Sequence, residues 1–556
     1  MLNNTAPVAI VGAGPVGIAL ALRLASLGVR SVLMDGKPHQ VKQGSKACLI
    51  QGDVLEVLDK FGCGEQISQE GVAWRNGHTY IRNREISRME YPERPGHSEF
   101  VNISQFRIEQ IMLQKLAREP LCELCWDHKV TAVHASDDGV RLSVETGGKR
   151  REKAFRYVVG CDGIRSTIRK ALGVRWTGYT HKDRFLITDI RVKLPLKKER
   201  HFHFDPHFNR GRQLVMHPQP GDMWRIDWQL PPSADIEQEQ ASGALDKRIR
   251  AVIGNGVDYE IDWLSTYRFN QRVAEHFCVG PVFLAGDAAH ALPPYGSRGM
   301  NSGIQDADNL AWKMAAVLQG RANGSLLDSY HEERYRAACE NLRVTEATIR
   351  FMVPPTRLHR LWRDFLLALS ERVPAARKLL NSGKMTEPFR YADSPLIPAP
   401  EAGPLIGAFA PDIPVSGNHG ETRLRRCFGP DFTAAAFCRD AHEATAHWDV
   451  WRTLASSHGL HVLALVPQGL EAAELPDGLQ AAFYQPSTAQ AYEGAADGWI
   501  LVRPDGHIAA MGALRDRPGA TRAFFAASGY ARHAPATVFA SLPPAPVELP
   551  AVSPAQ

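Results

Sequence analysis

Residues 7–17 read PVAIVGAGPVG, an apolar run that breaks into three glycines spaced as Gly12-x-Gly14-x-x-Gly17. The run is long enough for one buried strand, and IALALRLASLG, which follows Gly17, repeats its apolar residues at helical spacing. A strand that turns at once into a helix leaves free N–H groups and a partial positive charge at the strand end, where an anion can bind. In that layout the first glycine makes the tight turn. The second lets a pyrophosphate approach the backbone, and the third lets the helix pack closely on the strand. A second strand-like run, SVLMD, ends at Asp35, eighteen residues beyond Gly17, where an acid can accept hydrogen bonds from a ribose. Gly12, Gly14, Gly17 and Asp35 together predict a Rossmann-like α/β unit that holds a dinucleotide.

At 556 residues the chain is too long for one ordinary domain. Its 65 basic and 60 acidic residues leave a formal net charge of +5 with no long basic run, which argues against a nucleic-acid partner. No apolar stretch reaches the roughly 18 to 20 residues needed to cross a bilayer. The amino terminus MLNNTAPVAIVGAG lacks the basic segment and cleavage site of a secretory leader, so the expectation is a cytoplasmic protein with no membrane partner. Of the nine cysteines only Cys122 and Cys125 are spaced like a metal or redox pair. One such pair in a strand-like stretch reads as two core thiols, and no metal site is expected.

Two further stretches distinguish a flavin from a nicotinamide dinucleotide. Residues 157–169, YVVGCDGIRSTIR, set a strand before Asp162-Gly163, with Ser166 and Arg169 on the following helix. Residues 281–315, PVFLAGDAAHALPPYGSRGMNSGIQDADNLAWKMA, run a strand into Gly286-Asp287 and pass through a Pro- and Gly-rich loop. They then enter a helix whose apolar positions Ile304, Ala307, Ala311, Met314 and Ala315 recur at helical spacing. With the opening stretch, these resemble the aromatic hydroxylases of the FAD-dependent, single-component flavoprotein monooxygenase family, whose DG motif lies between a GxGxxG and a GD motif. Pro293-Pro294, Gly299-Met-Asn301 and Asp306-Ala-Asp-Asn309-Leu-Ala-Trp-Lys313 also match the family's pattern, so the resemblance covers most of the chain.

The resemblance implies FAD as cofactor and NADH or NADPH as a transient co-substrate, since no second strand–GxGxxG–helix unit exists. It implies that Asp287 contacts the ribityl chain, that Asp162 and Gln105 belong to the cofactor site, and that the loop through Pro294 and Tyr295 lies beside the flavin ring. The amides of Gly299, Met300 and Asn301 would begin a helix aimed at the flavin, where positive dipole stabilises the charge of the reduced ring. His290 reads as a hydrogen-bonded core histidine. There are two departures. Lys46 stands where members usually carry arginine, and it offers the pyrophosphate a charge without a bidentate fork. Ser297 stands where glycine is common.

The chemistry implied is oxygen transfer from a flavin hydroperoxide to an electron-rich ring, with O2 and an aromatic small molecule as partners. A phenol reacts well only if its proton is removed, because its pKa near 10 leaves little phenolate at neutral pH. In phenol hydroxylases of the family an aspartate or histidine often follows the Arg-Ala pair, whereas here Lys46-Ala47 is followed by Cys48. A thiol serves as base only if its pKa is lowered. The base is therefore absent, supplied by a histidine of the middle segment, or unnecessary for an activated ring. Cys48, His217, Pro294 and Tyr295 are the candidate catalytic residues.

The middle segment, DRFLITDIRVKL to MWRIDWQL, alternates in strand fashion and predicts an antiparallel sheet. It carries His201, His203, Arg212, His217, Trp224, Arg225 and Trp228, of which alternation allows only about half to face a pocket. The expected organisation is a first FAD-binding part at 1–180, an inserted substrate sheet at 181–275, and a second FAD-binding part with a helical region at 276–395. A thioredoxin-like C-terminal domain would follow at 396–540 and a disordered tail at 541–556. The last domain is expected on the resemblance of WILVRPDGHIAAMG to that of phenol-hydroxylase-type members. Asp505-Gly506 there is a hairpin signal, and Cys427 and Cys438 form no CxxC. A homodimer is implied. Two other readings stand beside the phenolic hydroxylase: a hydroxylase of a larger polycyclic or N-heterocyclic aromatic, and a flavin-binding or redox-sensing protein that does not turn over.

Overall fold

The computed structural model describes residues 7–529 apart from 42–46, 92, 94–95, 137, 353, 355, 374–387, 400–402, 418–419, 469–474, 478 and 493–497. Lys46 and the tail at 541–556 lie outside the described residues. The first strand, Val8–Val11, is buried at every position because it sits between two neighbours. It pairs in parallel with Ser31–Met34 on one side and Tyr157–Gly160 on the other. The sheet extends through Val282–Leu284 to a short antiparallel edge at Cys278–Val279, and on the far side to Cys122–Cys125. Both cysteines of that last strand are free thiols. Parallel strands covered on both faces read as continuous apolar runs, which is how VAIV, SVLM and VFL appear. Helix Pro15–Ser26 follows with proline in its first turn, where the missing N–H costs nothing.

A second sheet of seven strands builds the other half of the molecule. Its order is Glu260–Tyr267, Arg184–Arg191, Met223–Leu230, Gln213–Pro218, Arg200–Phe204, Asn76–Ile81 and Arg84–Glu90. All neighbours are antiparallel except Arg200–Phe204 with Asn76–Ile81. The hairpin of residues 76–90 thus joins this sheet from a stretch that the sequence reading gave to the FAD unit. Its tie is long-range backbone pairing, which leaves no local signature. One face carries Leu186, Ile190, Leu214, Met216, Ile226 and Leu230, with Trp224 and Trp228, and packs on the amphipathic helix Ala244–Ile253 through Leu245, Ile249 and Ile253. The opposite face turns toward the first sheet.

Three helices follow the Gly286 turn: Arg298–Leu318, Asp328–Met352 and Arg357–Arg372. The second ends just before Pro354, as expected of a helix approaching a proline. Beyond them lies a third mixed sheet. Thr433–Phe437 pairs in parallel with His461–Pro467 and antiparallel with Gly498–Val502, which pairs in turn with Ile508–Ala513. Helix Ala441–His458 connects the parallel pair, and Arg517–Ser528 closes the unit. Its core is continuous with that of the first sheet, for Trp312 meets Phe432 edge-on at 5.7 Å.

Candidate active site

The glycine turn is built by close packing. Gly12 has φ +110°, and a Cβ there would fall 2.4 Å from the Cys161 carbonyl oxygen. A Cβ on Gly17 would fall 2.0 Å from the Gly12 oxygen, whereas one on Gly14 would meet nothing within 4 Å. Two of the three glycines therefore pack protein on protein, and the middle one faces open space. Asp35 accepts from the N–H groups of Ala13 and Lys37, both at 2.9 Å, so it holds the turn in shape. Each carboxylate oxygen retains a further lone pair for a ligand.

The DG and GD turns are tied to one another. Asp162 Oδ2 accepts from Thr167 N at 2.6 Å and Ile168 N at 3.2 Å, which caps helix Thr167–Ala171. From that helix Arg169 donates to the carbonyls of Ile164 and Ala288, at 3.0 and 2.8 Å. Below the GD turn, Asp306 accepts from Gly286 N at 3.0 Å, from His290 Nε2 at 2.7 Å and from Arg334 Nε at 2.6 Å. Burial pushes the Asp306 carboxyl up, but His290 and Arg334 outweigh it and hold the group ionised. His290 is fully buried and serves the turn. Asp287, one residue along, is left exposed at the rim of a cavity.

That cavity measures about 310 Å³. It runs from Gly14 past Gly163 and Asp287 to the loop Pro293–Pro294 and the helix start at Gly299 and Met300, and it ends against the second sheet. Added Cβ atoms at Gly14 and Gly163 would find no neighbour, and at Gly299 only Asp287 Oδ1 at 4.0 Å. Three glycines thus bare their backbone to one elongated space that begins at a phosphate-type turn, and the first turn of Arg298–Leu318 presents N–H groups without helical partners. The residues present fit FAD. Gln105 lines the same space, accepting from Ala47 N at 3.3 Å and donating to Glu109 at 2.8 Å.

At the sheet end the wall is polar. Cys48, His217, Asp227 and Tyr267 line it, with Phe269 as an aromatic side. Arg225 lies behind, donating to both oxygens of Asp189 at 2.7 and 2.8 Å. Burial drives the Cys48 thiol up to about 12, against the opposing pull of Arg225. Burial, with the charges of Arg200 and Arg225, keeps His217 neutral, far below its usual range. Burial also raises the Asp227 carboxyl to about 7, opposed by Arg225.

The predicted residues divide between this space and its scaffold. Gly14, Gln105, Asp287, Gly299, Met300, Cys48, His217 and Pro294 line the cavity. Gly12, Gly17, Asp35 and Asp162 shape the turns around it. Two have side chains engaged within the protein, which leaves the backbone amide expected of Asn301 untouched and moves the Tyr295 ring off the cavity wall. Asn301 is fully buried, accepting from Gln51 N at 3.1 Å and donating to the carbonyls of Leu49 and Ser297, so its side chain clamps strand to helix. Tyr295 turns from the cavity, accepts a short hydrogen bond from Gln213 and packs on Phe185 and Phe269, because its ring completes an apolar cluster under the sheet. Of the middle-segment residues, His201 and His203 stack with His78 and Tyr80 on the other face. Asp227 and Asp189 were missed. The signal was present in WRIDWQL, where Arg225 and Asp227 alternate with Trp224, Ile226 and Trp228. Among the described residues no cluster could hold a metal.

The profile of the FAD binding domain family matches residues 5–345. The 3-(3-hydroxy-phenyl)propionate/3-hydroxycinnamic acid hydroxylase of Shigella sonnei is 30% identical over 390 residues, 68% of each chain. The 12-dehydrotetracycline 5-monooxygenase/anhydrotetracycline 6-monooxygenase of Streptomyces rimosus is 32% identical over 435 residues, 76% of this chain and 83% of that one. The chain belongs to the FAD-dependent aromatic monooxygenases. As a monooxygenase of this family it takes FAD, with NAD(P)H as co-substrate. The fold likeness extends further: the flavin-dependent monooxygenase PieE, solved with FAD and substrate, superposes with a TM-score of 0.77 at 22% identity, over 94% of this chain and 98% of that one. The monooxygenase has no helix among its described residues long and apolar enough to cross a membrane.

Proposed function

We propose that this monooxygenase hydroxylates a small phenolic aromatic, using NAD(P)H and O2. The observation that carries the reading is the continuity of one cavity from the glycine turn to a polar wall of Cys48, His217, Asp227 and Tyr267. When bound, FAD supplies the activation of O2 and the transfer of one oxygen atom to the ring. The protein supplies the rest. Gly14, Gly163 and Gly299 let the cofactor approach the backbone, with Asp35 and Asp287 as acceptors for its hydroxyls and the helix start at Gly299–Met300 facing its ring. Pro293, Pro294 and Phe269 give the substrate ring an apolar berth that excludes water, and the neutral imidazole of His217 orients its hydroxyl. Cys48, a thiol at neutral pH, serves as a small wall.

A single phenolic ring is favoured by the relative named as a 3-(3-hydroxy-phenyl)propionate/3-hydroxycinnamic acid hydroxylase. A polycyclic substrate is the second reading, favoured by the tetracycline-modifying relative. The experiment is NAD(P)H oxidation by the FAD-loaded protein over phenols, phenylpropionates, N-heterocycles and fused polycyclics, with hydroxylated product quantified. Coupled turnover on a phenol supports the first reading. Turnover confined to fused rings supports the second, and peroxide without product on every compound rejects both.

The C-terminal unit is read as thioredoxin-like and structural. Two parallel strands joined by a helix, followed by an antiparallel hairpin and a closing helix, support the topology. Cys438 is fully buried with its thiol pushed up to about 12, and Cys427 has no cysteine three positions away, which supports a unit without redox chemistry.

A further inference from the structure

We propose that Asp227 is the catalytic base that takes the proton from the substrate hydroxyl, an inference that rests on the phenol-hydroxylating reading. The position that often carries the base in phenol hydroxylases is here Cys48, and a thiol held protonated by burial cannot accept a proton. Asp227 reaches the same wall from another direction. It lies mid-strand in Met223–Leu230, paired across to Ile187 on one side and Val215 on the other. Strand alternation sends Trp224, Ile226 and Trp228 into the opposite core and leaves Asp227 on the cavity face.

Two polar atoms on this wall lack partners. Asp227 Oδ1 and His217 Nδ1 are both buried without a hydrogen bond, a state that costs folding free energy for each group left unsatisfied. Asp227 Oδ2 lies 3.9 Å from His217 Nε2, too far for a direct bond. A ligand hydroxyl that donates to Oδ1 would satisfy the carboxylate. The Arg225 guanidinium is held in a two-pronged pair with Asp189, and its charge opposes the rise at Asp227 without overcoming burial.

The charged and titratable groups around Asp227 come from every neighbouring strand: Arg225 on its own, Asp189 and His217 on the two adjacent ones, Arg200 and Tyr267 beyond, and Cys48 across the cavity. Their balance, with burial first, sets Asp227 near 7, closer to a phenol near 10 than an ordinary carboxylate near 4. In the proposed step the substrate O–H bond breaks and an O–H bond forms at Asp227 Oδ1. The electron pair stays on the ring oxygen and enriches the ring for attack by an electrophilic oxygen, and Asp227 later returns the proton to solvent. A raised carboxyl is protonated below about pH 7 and ionised above it, so activity through this base rises with pH across that range.

The test uses the FAD-loaded enzyme and Asp227→Asn, with retained flavin absorbance as the check on folding. On a phenol of ordinary pKa the variant is expected to lose about 100-fold in kcat and the pH limb near 7. On a polyfluorinated phenol already ionised at the assay pH the loss is expected to stay below about 3-fold, since no proton needs removal. Equal losses on both phenols, or an unchanged pH profile, overturn the assignment. Infrared difference titration of the holoenzyme supplies a readout independent of turnover. A protonated-carboxyl band that titrates between roughly pH 6 and 8, and that shifts in Asp227→Glu, supports the base, and its absence overturns it even if Asp227→Asn fails to fold. If the wild type hydroxylates no phenol, the functional reading fails, while the infrared titration still decides the ionisation of Asp227.

Discussion

Gly12 and Gly14 stand two residues apart, and their replacement by alanine is expected to do different things. At Gly12 the positive φ and the 2.4 Å approach to the Cys161 oxygen leave no room, so Gly12→Ala should yield insoluble protein or one that melts many degrees lower. At Gly14 nothing lies within 4 Å, so Gly14→Ala should leave the apoprotein's Tm unchanged and raise the FAD Kd about 10-fold or more, read by flavin fluorescence titration. Asp227 carries a second contrast. Its carboxyl is raised in the folded protein, so it contributes stability that is present below its ordinary value of 3.8 and is lost as pH rises through about 7. Asp227→Asn removes that loss. The variant should melt higher than the wild type at pH 8, by less at pH 5, and an equal or lower Tm at pH 8 would contradict the raised carboxyl.

Helix Arg298–Leu318 does more than present its first turn to the cavity. Through Asn301 it grips Leu49–Gln51, the short strand that begins one residue after Cys48 and so sets that wall of the site. Asn301→Ala removes the side-chain partner of the Gln51 N–H and of the Leu49 and Ser297 carbonyls, at about 1–3 kcal/mol for each buried group left unpaired. Urea denaturation should show a loss of that order, and KM should rise more than FAD affinity falls, because the strand borders substrate more than cofactor. Helix and strand were legible because 3.6- and 2-residue periods are written locally. The clamp was not, since Gln51 and Asn301 are 250 residues apart.

The whole molecule is locked by a buried charge cluster where the third sheet meets the helices. Arg503, in the turn between Gly498–Val502 and Ile508–Ala513, donates to Glu333 at 2.5 and 2.8 Å and to Asp505 at 2.6 Å. Asp505 accepts from Asn309 and Trp312, both at 3.1 Å, and Lys313 reaches Glu333 at 2.7 Å. What the sequence marks as a simple Asp-Gly hairpin is thus a buried plug. Arg503→Met should cost about 3–5 kcal/mol by stranding two carboxylates, and should split a single urea transition into two. Burial pushes Glu333 up, but Arg503 and Lys313 prevail and hold it far below 4.5. Its stabilising contribution is therefore full above that value and is lost progressively as pH falls below it toward the depressed value of the folded state. Acid unfolding of the wild type should be steeper than that of Arg503→Met, measured by circular dichroism from pH 6 downward.

By itself the sequence determined the dinucleotide unit, the helices behind the GD turn and the existence of an alternating sheet, because turn chemistry and hydrophobic period act over a few residues. It singled out Gly12, Gly14, Gly17, Asp35 and the Asp287 turn for the same reason, and the folded chain sets these turns beside one cavity. Tertiary structure alone decided which face of the sheet meets the cavity, since alternation defines two faces without naming the inner one. It also brought residues 76–90 into that sheet, turned Tyr295 and the Asn301 side chain into scaffold, and set Cys48, His217 and Asp227 on one wall. Protonation on that wall follows from burial and from charges contributed by strands distant in sequence, and neither exists until the chain has folded.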